Sequence, residues 1–134
     1  MIKIDLLKNH PQSIPMLAEI WHNELGKLWQ PEVSIEKIES WYYEWLNESM
    51  PLAHIALCDD LAIGSCSLQL NDGIRSDLTP WLGDLVIDHK FQRHGIGKML
   101  IAATKNKALE LGYKALYLFG FEPANNYYLK LGWE

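Results

Sequence analysis

Apolar and polar residues alternate from Ile2 to Leu7, the period-two pattern of a strand with one buried face. After Pro11 the period lengthens. Ile14, Leu17, Ala18, Trp21, Leu25 and Leu28 recur at helical spacing, and Pro31 stops the run. Ser34 is placed to cap a second helix, whose stripe is Ile35, Ile38, Trp41, Tyr42 and Trp45. We read that aromatic stripe as core packing. Leu52 to Cys58 and Leu61 to Leu70 are two strands joined at Asp59-Asp60, an antiparallel hairpin. Residues 71–80 hold Asn, Asp, Gly, Ser and Pro and form a loop. A central strand is predicted from Trp81 to Ile87. The next helix turns Ile96, Met99, Leu100, Ala103 and Leu111 inward, with Lys107 as the one polar interruption, and Gly112 closes it. Leu116 to Phe119 is the following strand, so strand, helix and strand imply a parallel pair with a right-handed crossover. The pattern therefore predicts one domain of the α+β class over residues 1–134, a mixed central sheet flanked by helices.

Composition narrows the class without changing this picture. A chain of 134 residues is one domain by length and long enough for a real core. Its 49% hydrophobic and 22% charged residues are ordinary for a globular protein. No apolar run approaches the roughly 20 residues that a membrane span needs. Met1 to Asp5 lacks the apolar segment of a signal peptide, so we expect a cytoplasmic protein. A net charge of −5 argues against general nucleic-acid binding. Cys58 and Cys66 fall in predicted strands without metal-type spacing and read as reduced, small core residues. The five histidines show no ligand spacing either, and no metal is expected.

The candidate chemistry lies between Gly83 and Leu100. An apolar strand, Leu85-Val86-Ile87, breaks at Asp88, crosses a short basic loop and enters a helix at Gly95-Ile96-Gly97. Glycines let backbone N–H groups converge, because no Cβ blocks the approach. The helix adds its unpaired amides and the positive end of its dipole. Lys90, Arg93, His94 and Lys98 surround the place with positive charge. This is a pyrophosphate cradle. It is not a P-loop, since Met99 follows Lys98 where a hydroxyl would hold magnesium. Nor is it the dinucleotide fingerprint, which needs glycine where Leu100 stands.

Gln92-Arg93-His94-Gly95-Ile96-Gly97 instead resembles the [QR]-x-x-G-x-[GA] signature of the GNAT superfamily of acetyl-CoA-dependent N-acetyltransferases. The end of the chain, Ala124-Asn125-Asn126-Tyr127-Tyr128-Leu129-Lys130-Leu131-Gly132-Trp133, is similar to the A-x-x-[FY]-Y-x-K-x-G-[FW] segment of that family. The order of elements extends the resemblance over essentially the whole chain. It implies a central strand whose bulge frees the backbone of Leu85, Val86 and Ile87 to bind the pantetheine arm of acetyl-CoA. It implies that Gln92, Arg93, His94, Gly95, Ile96, Gly97 and Lys98 hold the pyrophosphate, and that Tyr128 protonates the departing thiolate. Many members place an asparagine where this chain has Phe121; Asn125 and Asn126 are the candidates to replace it, Asn126 being the one we assign to the cofactor. Pro123 is not typical of the family either. For the general base we rank Asp84 first, with Asp77, Glu122 and a water-mediated route as alternatives.

The reaction so implied is direct attack of an amine on the thioester of acetyl-CoA; the alternative is a non-catalytic CoA-binding or sensing domain. Fold does not fix the acceptor. Seven glutamates against two lysines between Glu19 and Glu48 would suit a cationic one. GNAT domains usually continue into two further strands after G-[FW], whereas only Glu134 follows Trp133. The last two family strands are therefore expected to be missing: either the chain is a truncated or naturally short version, or a second copy covers the gap, and we expect a homodimer that shields Leu116–Phe119 and Trp133.

Overall fold

The computed structural model describes residues 1–70 and 79–118. Its elements are β1 (Ile2–Leu6), α1 (Ile14–Trp21), α2 (Lys27–Trp29), α3 (Ile35–Tyr43), β2 (Leu52–Cys58), β3 (Leu61–Gln69), β4 (Trp81–Ile87), α4 (Ile96–Glu110) and β5 (Tyr117–Leu118). They build one five-stranded sheet in the order β1-β2-β3-β4-β5. The first four strands are antiparallel, and β5 runs parallel to β4, pairing Trp81 with Tyr117 and Leu82 with Leu118. The α+β class and the mixed sheet follow the sequence pattern, and so does the parallel pair on either side of α4.

Local chemistry explains most boundaries. Asp59 and Asp60 turn the hairpin with φ of 49° and 73°, the double left-handed conformation of a two-residue turn that matches strand twist. Ser34 caps α3, its Oγ accepting the Lys37 N–H at 3.1 Å. Gly112, at φ 96°, ends α4; its N–H reaches the Leu109 carbonyl and the Tyr113 N–H reaches that of Ala108, both at 3.0 Å.

α1 and α3 cover one face of the sheet, where Leu17, Trp21, Ile38 and Tyr42 pack on Ile55 and Val86. α4 covers the other, packing Ile96, Leu100 and Ile101 on Ile63, Cys66 and Leu82. Two stripes differ from expectation. Leu28 is 68% exposed, because the helix passes through a π-helical turn at His22–Gly26 before α2. The wider turn advances the helix face, so the residues after it leave the stripe that Ile14 to Trp21 define. On α4 the buried residues are Ile96, Leu100, Ile101, Thr104 and Ala108, whereas Met99 is 40% exposed and Ala103 and Leu111 are half-buried. Thr104 can face the core because its hydroxyl donates to the Leu100 carbonyl at 2.9 Å, which hides its polarity.

Cys66 is buried and Cys58 half-buried, both as free thiols; burial pushes the Cys66 thiol up to about 12. No described helix is long and apolar enough to cross a membrane.

Candidate functional site

The centre of the site is an irregularity in β4. Ser67 of β3 faces Gly83 and Ser65 faces Val86, so two residues of β4, Asp84 and Leu85, oppose the single Cys66. This is a β-bulge. Asp84 takes φ of 52°, uncommon for any residue but glycine and tolerated best by Asn and Asp. The opposing strand accommodates it closely: a Cβ on Gly64 would lie 2.7 Å from the Val86 carbonyl oxygen, so only glycine fits there.

The bulge turns its side chains to different faces. Leu85 and Ile87 pack toward α4, and Val86 packs toward α1. Among the described residues, three donors hold Asp84. Its Oδ1 accepts the Trp21 indole Nε1–H at 3.1 Å, and its Oδ2 accepts from the Ser67 hydroxyl at 2.9 Å and the Gln69 amide at 3.1 Å. The same Gln69 nitrogen donates to Ser67 Oγ at 3.0 Å. Charge-assisted bonds of this kind are the stronger class and fix the carboxylate against the side of α1. Two residues from Ser67 along β3, the Ser65 hydroxyl meets the Tyr42 hydroxyl at 2.8 Å, and burial holds the Tyr42 phenol well above its ordinary range.

Past the bulge, Leu85, Val86 and Ile87 form one wall of a cavity of about 510 Å³. The opposite wall is the loop and the first turn of α4, with Gln92, Arg93, Gly95, Ile96, Gly97 and Lys98. Glu24 and Leu25, from the π-helical turn, and Phe91 complete it. The loop begins as a 3-10 turn at His89–Phe91, started by Asp88, whose Oδ1 accepts the Lys90 N–H at 3.0 Å. It then takes two left-handed residues, Arg93 at φ 69° and Gly95 at φ 78°. Gly95 is the N-cap of α4, and a Cβ there would meet nothing within 4 Å, so glycine is needed for its backbone and not for room. Helix geometry leaves the first-turn N–H groups of α4 pointing out of its end, beside Arg93 and Lys98. Such a place suits an anionic group, and the narrow apolar wall of Leu85–Ile87 suits an extended chain attached to it.

The structure thus brings the candidates of β4, the loop and α4 together around one cavity. His94 is exposed on the loop and does not line it. Asp84 sits at the bulge on the α1 side. Tyr128 and Asn126 lie outside the described residues, as do Asn125, Asp77, Glu122, Phe119 and Trp133. Sequence reasoning passed over Glu24, Trp21 as an Asp84 donor, Ser67 and Gln69. Two signals pointed at them. Glu24 stands three residues after Trp21, an acid on the inward stripe of its helix. Ser65, Ser67 and Gln69 form a polar row at period two on a strand that is otherwise apolar, and the two serines are almost fully buried.

A strand bulge thus stands beside a cavity that ends on a glycine-capped helix start. The Acetyltransferase (GNAT) family model matches residues 14–133. The chain belongs to this family and is an acyltransferase by that membership. No functionally curated protein matches it in sequence. Among solved structures, the glucosamine-6-phosphate N-acetyltransferase from Arabidopsis thaliana is 15% identical with a TM-score of 0.72, covering 100% of this chain and 92% of that one. A predicted acetyltransferase from Clostridium acetobutylicum, solved with acetyl-CoA, is 13% identical with a TM-score of 0.77 and coverage of 100% and 90%. The aminoglycoside N-acetyltransferase AAC(6')-Iy, in complex with CoA, is 22% identical with a TM-score of 0.69 and coverage of 98% and 84%. These likenesses show the fold.

Proposed function

We propose that the protein moves the acetyl group of acetyl-CoA to a primary amine by direct attack within a ternary complex. The observation that carries this reading is the bulge at Asp84–Leu85, opening beside a cavity that runs from Leu85–Ile87 to the start of α4. The backbone of Leu85, Val86 and Ile87 takes the pantetheine arm. The loop backbone around Gln92, Arg93 and Gly95, with Ile96, Gly97 and Lys98 of the first helical turn, takes the pyrophosphate, and Asn126 adds a side-chain contact.

The amine nitrogen attacks the thioester carbonyl carbon, giving a tetrahedral intermediate whose oxyanion is stabilised by β4 amides. The carbon–sulfur bond then breaks. Tyr128 delivers a proton to the leaving thiolate, and Asp84, fixed by Trp21, Ser67 and Gln69, receives the proton of the incoming amine. Holding both reactants in one cleft supplies much of the acceleration. The reaction uses no metal. Support for an amine acceptor comes from fold relatives named as glucosamine-6-phosphate and aminoglycoside acetyltransferases, one of the latter in complex with sisomicin. The excess of acids over bases between Glu19 and Glu48 favours a cationic acceptor.

The test is release of free CoA thiol from acetyl-CoA with a panel of amines: an aminoglycoside, an amino sugar phosphate, a polyamine and a peptide with a free N-terminus. Amine-dependent release, fastest with a polycation and slowed by salt, is the expected result. CoA binding without release for any amine would assign a non-catalytic CoA-binding role instead.

A further inference from the structure

Gln92 opens the loop that faces the cavity, yet its side chain is turned to the protein. A primary amide nitrogen carries two hydrogens. Here one goes to the Ile87 carbonyl oxygen at 3.0 Å and the other to Glu24 Oε1 at 3.1 Å. The two acceptors come from different parts of the chain: Ile87 ends β4, and Glu24 sits in the π-helical turn after α1. Glu24 is half-buried at the cavity wall, and its other oxygen lies 3.8 Å from His89 Nδ1. In the same helical run, Trp21 reaches the bulge at Asp84. This one stretch of helix therefore holds β4 at its bulge and holds the loop just past its end.

A carboxylate on the wall of a cavity built for phosphate is at first sight misplaced, since like charges repel there. Its bond to Gln92 supplies a reason. The loop contains two residues with positive φ, Arg93 and Gly95, and such a segment loses much conformational freedom when it is ordered. If the loop is ordered beforehand, the ligand does not bear that cost on binding.

Resting on the acetyl-CoA reading above, we propose that Glu24 is a positioning residue for the cofactor. Through Gln92 it locks the loop onto the end of β4, so that the loop amides and the first turn of α4 already converge when CoA arrives. Gln92 acts as the clamp, and the backbone acts on the phosphates.

The experiment measures CoA affinity by calorimetry, and steady-state kinetics in acetyl-CoA, for wild type, Glu24→Ala, Glu24→Gln, Gln92→Ala and the Glu24→Ala/Gln92→Ala double variant. Glu24→Ala should weaken CoA binding about ten-fold and raise KM for acetyl-CoA to match, with kcat changed less than about two-fold. Glu24→Gln keeps a carbonyl that accepts from Gln92 and should restore affinity to within about three-fold of wild type. The double variant should be no worse than Gln92→Ala alone, because both changes remove one clamp. Three results would overturn the proposal: CoA bound as tightly or more tightly by Glu24→Ala, a Glu24→Gln variant as weak as Glu24→Ala, or losses that add in the double variant. Tighter binding in both Glu24 variants would mean that the carboxylate only repels phosphate. A wild-type protein with no affinity for CoA would overturn the functional reading as well, an outcome distinct from the other three.

Discussion

On the sheet face under α1 and α3, large aromatic rings and buried polar groups share the core. Trp21 meets Trp41 edge-on at 5.3 Å and Tyr42 meets Trp45 at 5.0 Å, while the Trp21 indole N–H serves Asp84 and the Tyr42 hydroxyl pairs with Ser65. On the α4 face the core is mainly aliphatic: Ile63, Leu82, Ile96, Leu100 and Ile101, with the buried pair His54 and Thr104 below them. Aromatic side chains with a polar tip can bury area and still direct a hydrogen bond. Aliphatic ones can only fill space. The first face is therefore equipped to orient a reacting group, and the second to place the start of α4 against the end of β4. Substitutions on the two faces should separate chemistry from stability.

The largest effect is expected where the faces meet, at the bulge. Asp84→Asn keeps a residue that tolerates positive φ but removes the carboxylate proposed as the base, so kcat/KM should fall about 10²- to 10⁴-fold while the melting temperature moves little. Wild-type turnover in this variant would take Asp84 out of the mechanism. At the start of α4, Gly97→Asp places a carboxylate in the first helical turn, where the helix dipole favours it and the fold should persist. CoA affinity should drop at least about 10²-fold by calorimetry, and an unchanged value would move the phosphate site elsewhere.

The α4 face is probed by Leu100→Ala. Leu100 is fully buried, and the truncation should cost about 2–5 kcal/mol in urea unfolding with kcat preserved in the folded protein. An equal loss of activity per molecule would erase the proposed division between faces. His54 tests the same face by pH. Burial, aided by the nearby Lys107, lowers its pKa to about 4 from an ordinary 6.5. The unfolded chain thus takes up the proton first. Stability is complete above about pH 6.5 and is lost as pH falls through 4, by about 3 kcal/mol in total. His54→Leu should flatten that limb of the stability profile, which urea titrations at pH 7.0 and pH 4.0 would reveal. The smallest effect is Trp21→Phe, which keeps an aromatic ring against Trp41 but deletes the bond to Asp84. A several-fold fall in kcat with about 1 kcal/mol of stability is expected. A purely structural Trp21 would show the second loss without the first.

Much of the frame was legible because its signals are local. The strand alternation of β1, the Asp59-Asp60 turn, the bounds of β4, the Ser34 cap and the glycines at 95 and 112 all act through sterics and hydrogen bonds within a few residues. The loop before α4 was legible for the same reason, since glycine spacing at a helix start is a short-range pattern. What only the tertiary structure decided depends on neighbours distant in the chain. The bulge at Asp84 follows from the register against β3, where Gly64 lets the Val86 backbone come close. Leu28 left its stripe when the π-helical turn advanced the helix. Thr104 entered the core because a carbonyl one turn back satisfied it, and Glu24 met Gln92 across 68 positions. Periodicity marks which residues turn inward, whereas which inward residues meet is set by packing and register, and the candidate site is made of such meetings.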